Sequence, residues 1–135
     1  IAKPNTDVVY ATGDGYLMFG SPLAPLWAAA HYKAAFLSVV FVNKSYSTGT
    51  AGLRRLYPEG NVVESNDWEG GTFDPPPNFA KLAEAANCYG ETVTEPDKIA
   101  EALQRGMEFV HDGTPALIAV NLPTIPDEMS GVSGI

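Results

Sequence analysis

The sequence predicts an α/β fold, a three-layer sandwich in which a mainly parallel sheet is flanked by helices. Short apolar runs that are typical of buried strands alternate along the chain with segments of helical periodicity. The run over residues 36–42 is almost wholly apolar and rich in β-branched residues, which is typical of a central parallel strand covered on both faces. Glycine, proline and asparagine separate these segments, as expected for turns and helix ends.

The first part of the chain is expected to form a strand, a helix and a second strand. Residues 7–11 form a short apolar run that ends at the Gly-Asp-Gly of residues 13–15. Ser21 followed by Pro22 is typical of a helix start, because a hydroxyl caps the helix and proline fits its first turn. We expect this helix to continue to about residue 33. The strand over residues 36–42 then leads into Asn43.

The second part begins with an irregular segment over residues 57–77, which contains three glycines and three consecutive prolines. A loop of this length in a compact domain is usually functional or mobile. Asn78 is expected to cap the next helix, and Pro96 to open the one after it. The remaining predictions are helices over 79–88 and 96–111, strands over 91–94 and 116–120, and a tail over 123–135 with little pattern.

Composition excludes several classes of protein. The chain has 135 residues, 45% of them apolar and 18% charged, which is typical of one globular domain. The net charge of −8 and thinly scattered basic residues argue against a nucleic-acid-binding face. An acidic chain that binds an anionic cofactor needs a metal ion or backbone amides to do so.

The chain has a single cysteine, Cys88, so neither an internal disulfide nor a cysteine-rich zinc cluster is expected. We expect a buried thiol there, and packing or surface roles for His31 and His111. No long apolar segment or secretory signal is visible, which fits a cytoplasmic protein. The first residue is Ile1 rather than methionine, which is the pattern of a cut, processed or partly represented chain.

Two polar residues stand directly after consecutive predicted strands. Asp14 lies between two glycines, which would allow the backbone to approach a ligand closely, and its carboxylate is a suitable ligand for Mg²⁺. Asn43 follows the strand over 36–42, and Ser45 could add its backbone carbonyl. Consecutive parallel strands often lie side by side, so these groups could reach one ion, while amides near Gly15 and Tyr16 could meet phosphates.

This arrangement resembles the cofactor motif of thiamine diphosphate (ThDP)-dependent enzymes, in which Gly-Asp-Gly is followed, after a spacer, by Asn at the end of an apolar strand. The similarity extends to the strand over 8–12, the helix over 78–90 and the strand over 115–120, and thus over almost all of residues 2–122. The segment 55–60 and the proline-rich loop resemble acetolactate synthase-like members most. The resemblance implies an N-terminally incomplete ThDP-binding fold over residues 1–122, followed by the tail over 123–135.

By this resemblance, Asp14, Asn43 and Ser45 hold Mg²⁺, which in turn holds the cofactor's diphosphate. The implied cofactor-binding residues are Gly13, Asp14, Gly15, Tyr16, Asn43, Ser45 and Tyr46. The sequence departs from the family at Val42, where a first Asn is usual, and at Tyr16, where a Ser often touches phosphate. The spacing between Asp14 and Asn43 is also slightly longer than the commonest one.

The implied activity is ThDP- and Mg²⁺-dependent decarboxylation or carboligation of a small 2-oxo acid. In this family the catalytic glutamate lies in a separate pyrimidine-binding domain, and nothing here corresponds to it. We therefore expect no catalytic residue in this chain, a partner that supplies the pyrimidine domain, and a homo-oligomer. The alternative is a detached or degenerate module that acts in assembly or regulation, and the presence of both Asp14 and Asn43 favours the enzyme.

Overall fold

The computed structural model describes residues 6–73 and 75–123. By internal contacts the chain forms two compact units, one of Ile1–Val42 with Pro77–Leu122 and one of Asn43–Pro76 with Pro123–Ile135. Of the tail predicted over residues 123–135, only residue 123 belongs to the described part of the chain. None of the described helices is long and apolar enough to span a membrane.

A parallel sheet forms the centre of the first unit. Within the described residues it has four strands in the order β1-β2-β4-β3, and every neighbouring pair is parallel. This confirms the predicted α/β class with a parallel sheet. The strands are β1 (Val9–Gly13), β2 (Leu37–Val42), β3 (Tyr89–Val93) and β4 (Ala116–Asn121).

Helices cover both faces of this sheet, as a parallel sheet requires. The first unit contains α1 (Asp14–Phe19), α2 (Leu23–His31), α5 (Phe79–Ala85) and α6 (Ile99–His111), and the second unit contains α3 (Ser47–Leu56) and α4 (Asn61–Ser65). One apolar cluster joins Leu26 of α2 and Phe79 of α5 to Val40 of β2. A second cluster lies on the opposite face, where Val110 of α6 packs with Ile118 of β4.

The predicted strands and longer helices are present, but their ends and some shorter elements differ from the predictions. α1, α3 and α4 were not predicted, because α1 and α4 are only 6 and 5 residues long and α3 contains two glycines. The hydroxyl of Ser21 does not cap α2: Pro22 occupies the N-cap position without a side-chain bond, and Ser21 has a positive φ of 48°. The predicted cap at Asn78 is confirmed, since its side chain accepts the Lys81 N–H at 2.9 Å.

Candidate functional site

Asp14 lies at the junction of β1 and α1, where the chain leaves the carboxyl end of β1. Its side chain is only 1% exposed, and its Oδ1 accepts the N–H of Gly15 at 2.8 Å. Burying a carboxylate is costly unless a cation or several N–H donors meet it. The Asp14 carboxylate is therefore a buried oxygen ligand with a defined orientation, at the strand end where the sequence predicted it.

The two glycines beside Asp14 were predicted to allow an unusual backbone conformation, and the structure shows ordinary conformations at both. Gly13 has φ −86° and ψ 157°, which any residue adopts, and a Cβ added there would meet no atom within 4 Å. Gly15 lies inside α1, and its amide is engaged with the carboxylate of Asp14. Gly13 therefore does not adopt a conformation that only glycine can reach. Open space lies beside Asp14 at the position that a Gly13 side chain would occupy.

The second group of predicted site residues forms a tight turn in the second unit. The amide oxygen of Asn43 accepts the Ser45 N–H at 3.1 Å and its hydroxyl at 3.5 Å, while the Asn43 Nδ2 donates to the Ser47 hydroxyl at 3.2 Å. Lys44 adopts a left-handed φ of 62°, which is uncommon for a residue with a side chain. Such strained positions persist where the surrounding structure holds them, and they cluster at functional sites.

The segment that holds this turn was predicted only as irregular loop. The Tyr46 N–H donates to the Gly71 carbonyl and the Phe73 N–H to the Lys44 carbonyl, both at 2.9 Å. Ser45 and Thr72 form an isolated antiparallel bridge, and the rings of Tyr46 and Phe73 meet edge to face at 5.1 Å. Residues 71–73 therefore fix the conformation of residues 43–46, and no local sequence pattern identified that role.

β1 and β2 are neighbours in the sheet, as the sequence predicted for the two strands that precede Asp14 and Asn43. They run parallel, with Gly13 opposite Phe41. Asp14 directly follows the last residue of β1, and Asn43 directly follows the last residue of β2. Open α/β sheets bind ligands beyond the carboxyl ends of their strands.

The histidines and the cysteine have the structural surroundings expected of them. His31 stacks on Trp27 with ring centroids 4.9 Å apart, and His111 Nε2 lies 3.0 Å from a carboxylate oxygen of Asp7. Cys88 is buried, and burial raises the pKa of its thiol. Across residues 6–73 and 75–123, no group of three His, Cys, Asp or Glu side chains is placed to hold a metal ion.

Comparison with known proteins agrees with the fold. Residues 1–120 match the family described as thiamine pyrophosphate enzyme, C-terminal TPP binding domain, where thiamine pyrophosphate is another name for ThDP. The crystal structure of benzoylformate decarboxylase from Polynucleobacter necessarius is similar, with a TM-score of 0.67 and 20% sequence identity. The match covers 90% of this chain and 21% of that one, so this chain corresponds to about a fifth of the relative's length. The chain thus belongs to the family of C-terminal, TPP-binding domains of thiamine pyrophosphate enzymes.

Proposed function

We propose that this chain binds the diphosphate of ThDP through Mg²⁺, as part of a 2-oxo acid decarboxylase or carboligase that resembles acetolactate synthase. The observation that carries the proposal is the buried carboxylate of Asp14 at the carboxyl end of β1, beside the parallel strand β2. Both strands lead directly into residues of the cofactor motif. The chain belongs to the TPP-binding family, and this supports ThDP as the cofactor.

The donor atoms of the motif suit Mg²⁺. Magnesium prefers hard oxygen ligands and usually takes one or two protein oxygens together with phosphate oxygens and water. Asp14 offers a carboxylate, Ser45 a backbone carbonyl and Asn43 an amide oxygen. The Asn43 oxygen already accepts bonds from Ser45, and that bonding keeps the amide in one orientation. We propose these three residues as the metal ligands.

The remaining motif residues are proposed to surround the diphosphate. Gly13 leaves room beside Asp14, Gly15 orients its carboxylate, and Tyr16 follows in the first turn of α1. Tyr46 ends the tight turn that residues 71–73 hold in place. The chain carries a net charge of −8, so a divalent cation is the means by which it would accept a diphosphate without strong repulsion.

The cofactor, this chain and a partner domain have different roles in the proposed reaction. When bound, ThDP supplies the stabilisation of negative charge at carbon that 2-oxo acid chemistry requires. The residues of this chain orient the diphosphate and neutralise its charge, and we propose no proton-transferring residue among them. The pyrimidine-binding domain with the catalytic glutamate is proposed to come from a partner segment or subunit, within a homo-oligomer in the cytoplasm.

One observation supports a 2-oxo acid as substrate, and a second supports a carbonyl compound as acceptor. The similar solved structure is named a benzoylformate decarboxylase, and benzoylformate is a 2-oxo acid. The segment over residues 55–60 and the proline-rich loop resemble acetolactate synthase-like members, which favours a second carbonyl compound as acceptor.

Turnover by the complete assembled enzyme tests this proposal. Pyruvate, benzoylformate and a branched 2-oxo acid would each be supplied with ThDP and Mg²⁺, while released CO₂ and condensed products are measured. The proposal predicts CO₂ release that requires both the cofactor and the metal. Cofactor binding without release from any 2-oxo acid would instead support the non-catalytic module.

A further inference from the structure

Trp68 connects the irregular segment of the second unit to α3. The guanidinium carbon of Arg54 in α3 lies 4.6 Å from the centre of the half-buried Trp68 ring, which is a cation–π contact. Both side chains also donate to one oxygen: Trp68 Nε1 lies 2.8 Å from Asn66 Oδ1, and Arg54 Nη2 lies 3.4 Å from it. Asn66 ends α4 with a left-handed φ of 52°, a conformation that asparagine adopts more readily than most residues. These three side chains form one set of contacts, which we call the Trp68 cluster.

Gly71 connects the Trp68 cluster to the turn over residues 43–46. The Gly71 N–H donates to the Trp68 carbonyl at 2.7 Å, and the Gly71 carbonyl accepts the Tyr46 N–H at 2.9 Å. A Cβ built on Gly71 would stand 3.0 Å from the methyl carbon of Thr50 in α3 and 3.1 Å from the Trp68 carbonyl oxygen, so Gly71 packs closely against both. Two consecutive hydrogen bonds therefore couple the position of Trp68 to that of Tyr46.

The turn over residues 43–46 contains Asn43 and Ser45, two of the three proposed metal ligands. Lys44, which lies between them, has a left-handed φ of 62°, and such a conformation persists only where the surrounding structure holds it. A metal site needs its ligands within roughly 0.5 Å of the productive geometry. Groups that orient ligands without touching the metal commonly change metal affinity by about 10- to 100-fold. Contacts that hold residues 71–73 in place are therefore expected to affect the metal affinity of this turn.

We infer that Trp68 and Arg54 are positioning residues for the proposed Mg²⁺ site. Their contact holds residues 71–73 against α3, and residues 71–73 in turn hold Asn43 and Ser45 in the geometry that binds the metal. The inference rests on the proposed function, because it assigns these side chains to the metal site proposed there. Neither side chain is proposed to contact the metal ion or the substrate, so their loss should weaken metal binding and leave turnover at saturating cofactor close to that of the wild type.

Calorimetric titration of the complete protein with Mg²⁺ at a fixed concentration of ThDP tests the inference, with circular dichroism to confirm folding. We expect the apparent Mg²⁺ affinity to be roughly tenfold weaker in Trp68→Ala and in Arg54→Met, while kcat at saturating ThDP and Mg²⁺ stays close to the wild-type value. Trp68→Phe keeps an aromatic ring beneath the guanidinium and should recover part of the affinity. The double variant of Trp68→Ala and Arg54→Met should lose no more than the weaker single variant, because the two side chains act through one contact.

Arg55→Met is the matched control, because Arg55 is the exposed neighbour of Arg54 in α3 and the substitution removes the same charge. This variant should bind Mg²⁺ and ThDP like the wild type. Arg54→Met alone decides the outcome if Trp68→Ala does not fold.

Hydrogen exchange without ThDP or Mg²⁺ provides a second, independent readout. The amides of Tyr46 and Phe73 are both hydrogen-bonded between the turn and residues 71–73, so they should exchange roughly tenfold faster in Arg54→Met than in the wild type. Unchanged exchange at both amides, unchanged Mg²⁺ affinity in Arg54→Met, or an equal loss in Arg55→Met would each overturn the inference alone. A wild-type protein that binds no ThDP in the presence of Mg²⁺ would contradict the proposed function itself and overturn the inference with it.

Discussion

Gly90 of β3 lies directly against the backbone of Ala80 in α5. A Cβ built on Gly90 would stand 2.1 Å from the carbonyl oxygen of Ala80 and 2.8 Å from its carbonyl carbon. Real Cβ atoms essentially never approach another atom so closely. The contact is to backbone rather than to the flexible end of a side chain, so only a glycine allows α5 to pack this closely on the sheet.

Replacing Gly90 with alanine should therefore destabilise the protein by about 3 kcal/mol or more, at the upper end of the range for overpacking in a core. The measurement is the free energy of unfolding from urea titration. Gly49→Ala is the matched control, because Gly49 lies exposed in α3 and an added Cβ there meets nothing within 4 Å. That control should gain about 0.5–1 kcal/mol from helix propensity. Equal effects of the two substitutions would contradict the packing argument.

Asn78 is the side-chain cap of α5, and its removal should have a moderate cost. Asn78→Ala removes the acceptor of the Lys81 N–H and should lower the free energy of unfolding by about 1 kcal/mol. Asn78→Asp retains a side-chain oxygen at the cap and should remain within a few tenths of a kcal/mol of the wild type. If alanine and aspartate were equally costly, the Asn78 side chain would have a role other than capping.

Glu91 has a depressed pKa, chiefly because the guanidinium of Arg105 donates to its carboxylate. The Tyr89 hydroxyl donates to the same carboxylate at 2.6 Å and acts in the same direction. Since the folded pKa lies below the unfolded one, the stabilisation is present above the ordinary value of 4.5 and is lost as the pH falls through the folded pKa.

Removal of the guanidinium by Arg105→Gln should raise the Glu91 pKa toward its ordinary value. The stabilisation that Glu91 contributes near neutral pH should then be smaller, and so should the part of it that is lost in acid. NMR titration of the Glu91 side-chain carboxyl carbon measures this directly. Lys98→Gln is the control, because Lys98 pairs with Glu101 at 3.4 Å and should leave the Glu91 pKa unchanged. An unaltered Glu91 pKa in Arg105→Gln would show that the ion pair does not set it.

The features that were predictable from sequence are those encoded by local patterns. The apolar run over residues 36–42 predicted β2, and the polar residue before the helix over 79–88 predicted the cap at Asn78. The order of strands and helices predicted the parallel sheet. Asp14 was identified by its place after a strand, and the structure shows that its carboxylate is buried there.

The features that were missed depend on contacts between segments distant in sequence. Gly90 lies outside the strand predicted over 91–94, whereas in the structure it belongs to β3 and packs against the backbone of α5. The turn over residues 43–46 is held by residues 71–73, which share no periodic pattern with it. The hydroxyl of Ser21 was expected to cap α2, but a positive φ places this residue in the turn between two short helices. Such outcomes are set by tertiary packing rather than by local propensity.

Mg²⁺-dependent binding of ThDP tests the central claim most directly. Isothermal titration of the complete protein with ThDP would be performed with and without Mg²⁺, for the wild type, Asp14→Ala and the surface control Asp112→Ala, with circular dichroism to confirm folding. We expect Mg²⁺-dependent binding in the wild type and in Asp112→Ala. Folded Asp14→Ala should lose roughly 100-fold or more in affinity for ThDP, because the metal ion that holds the diphosphate loses its carboxylate ligand. Unchanged, Mg²⁺-dependent binding by Asp14→Ala would contradict the assignment of Asp14 as the ligand that holds the metal.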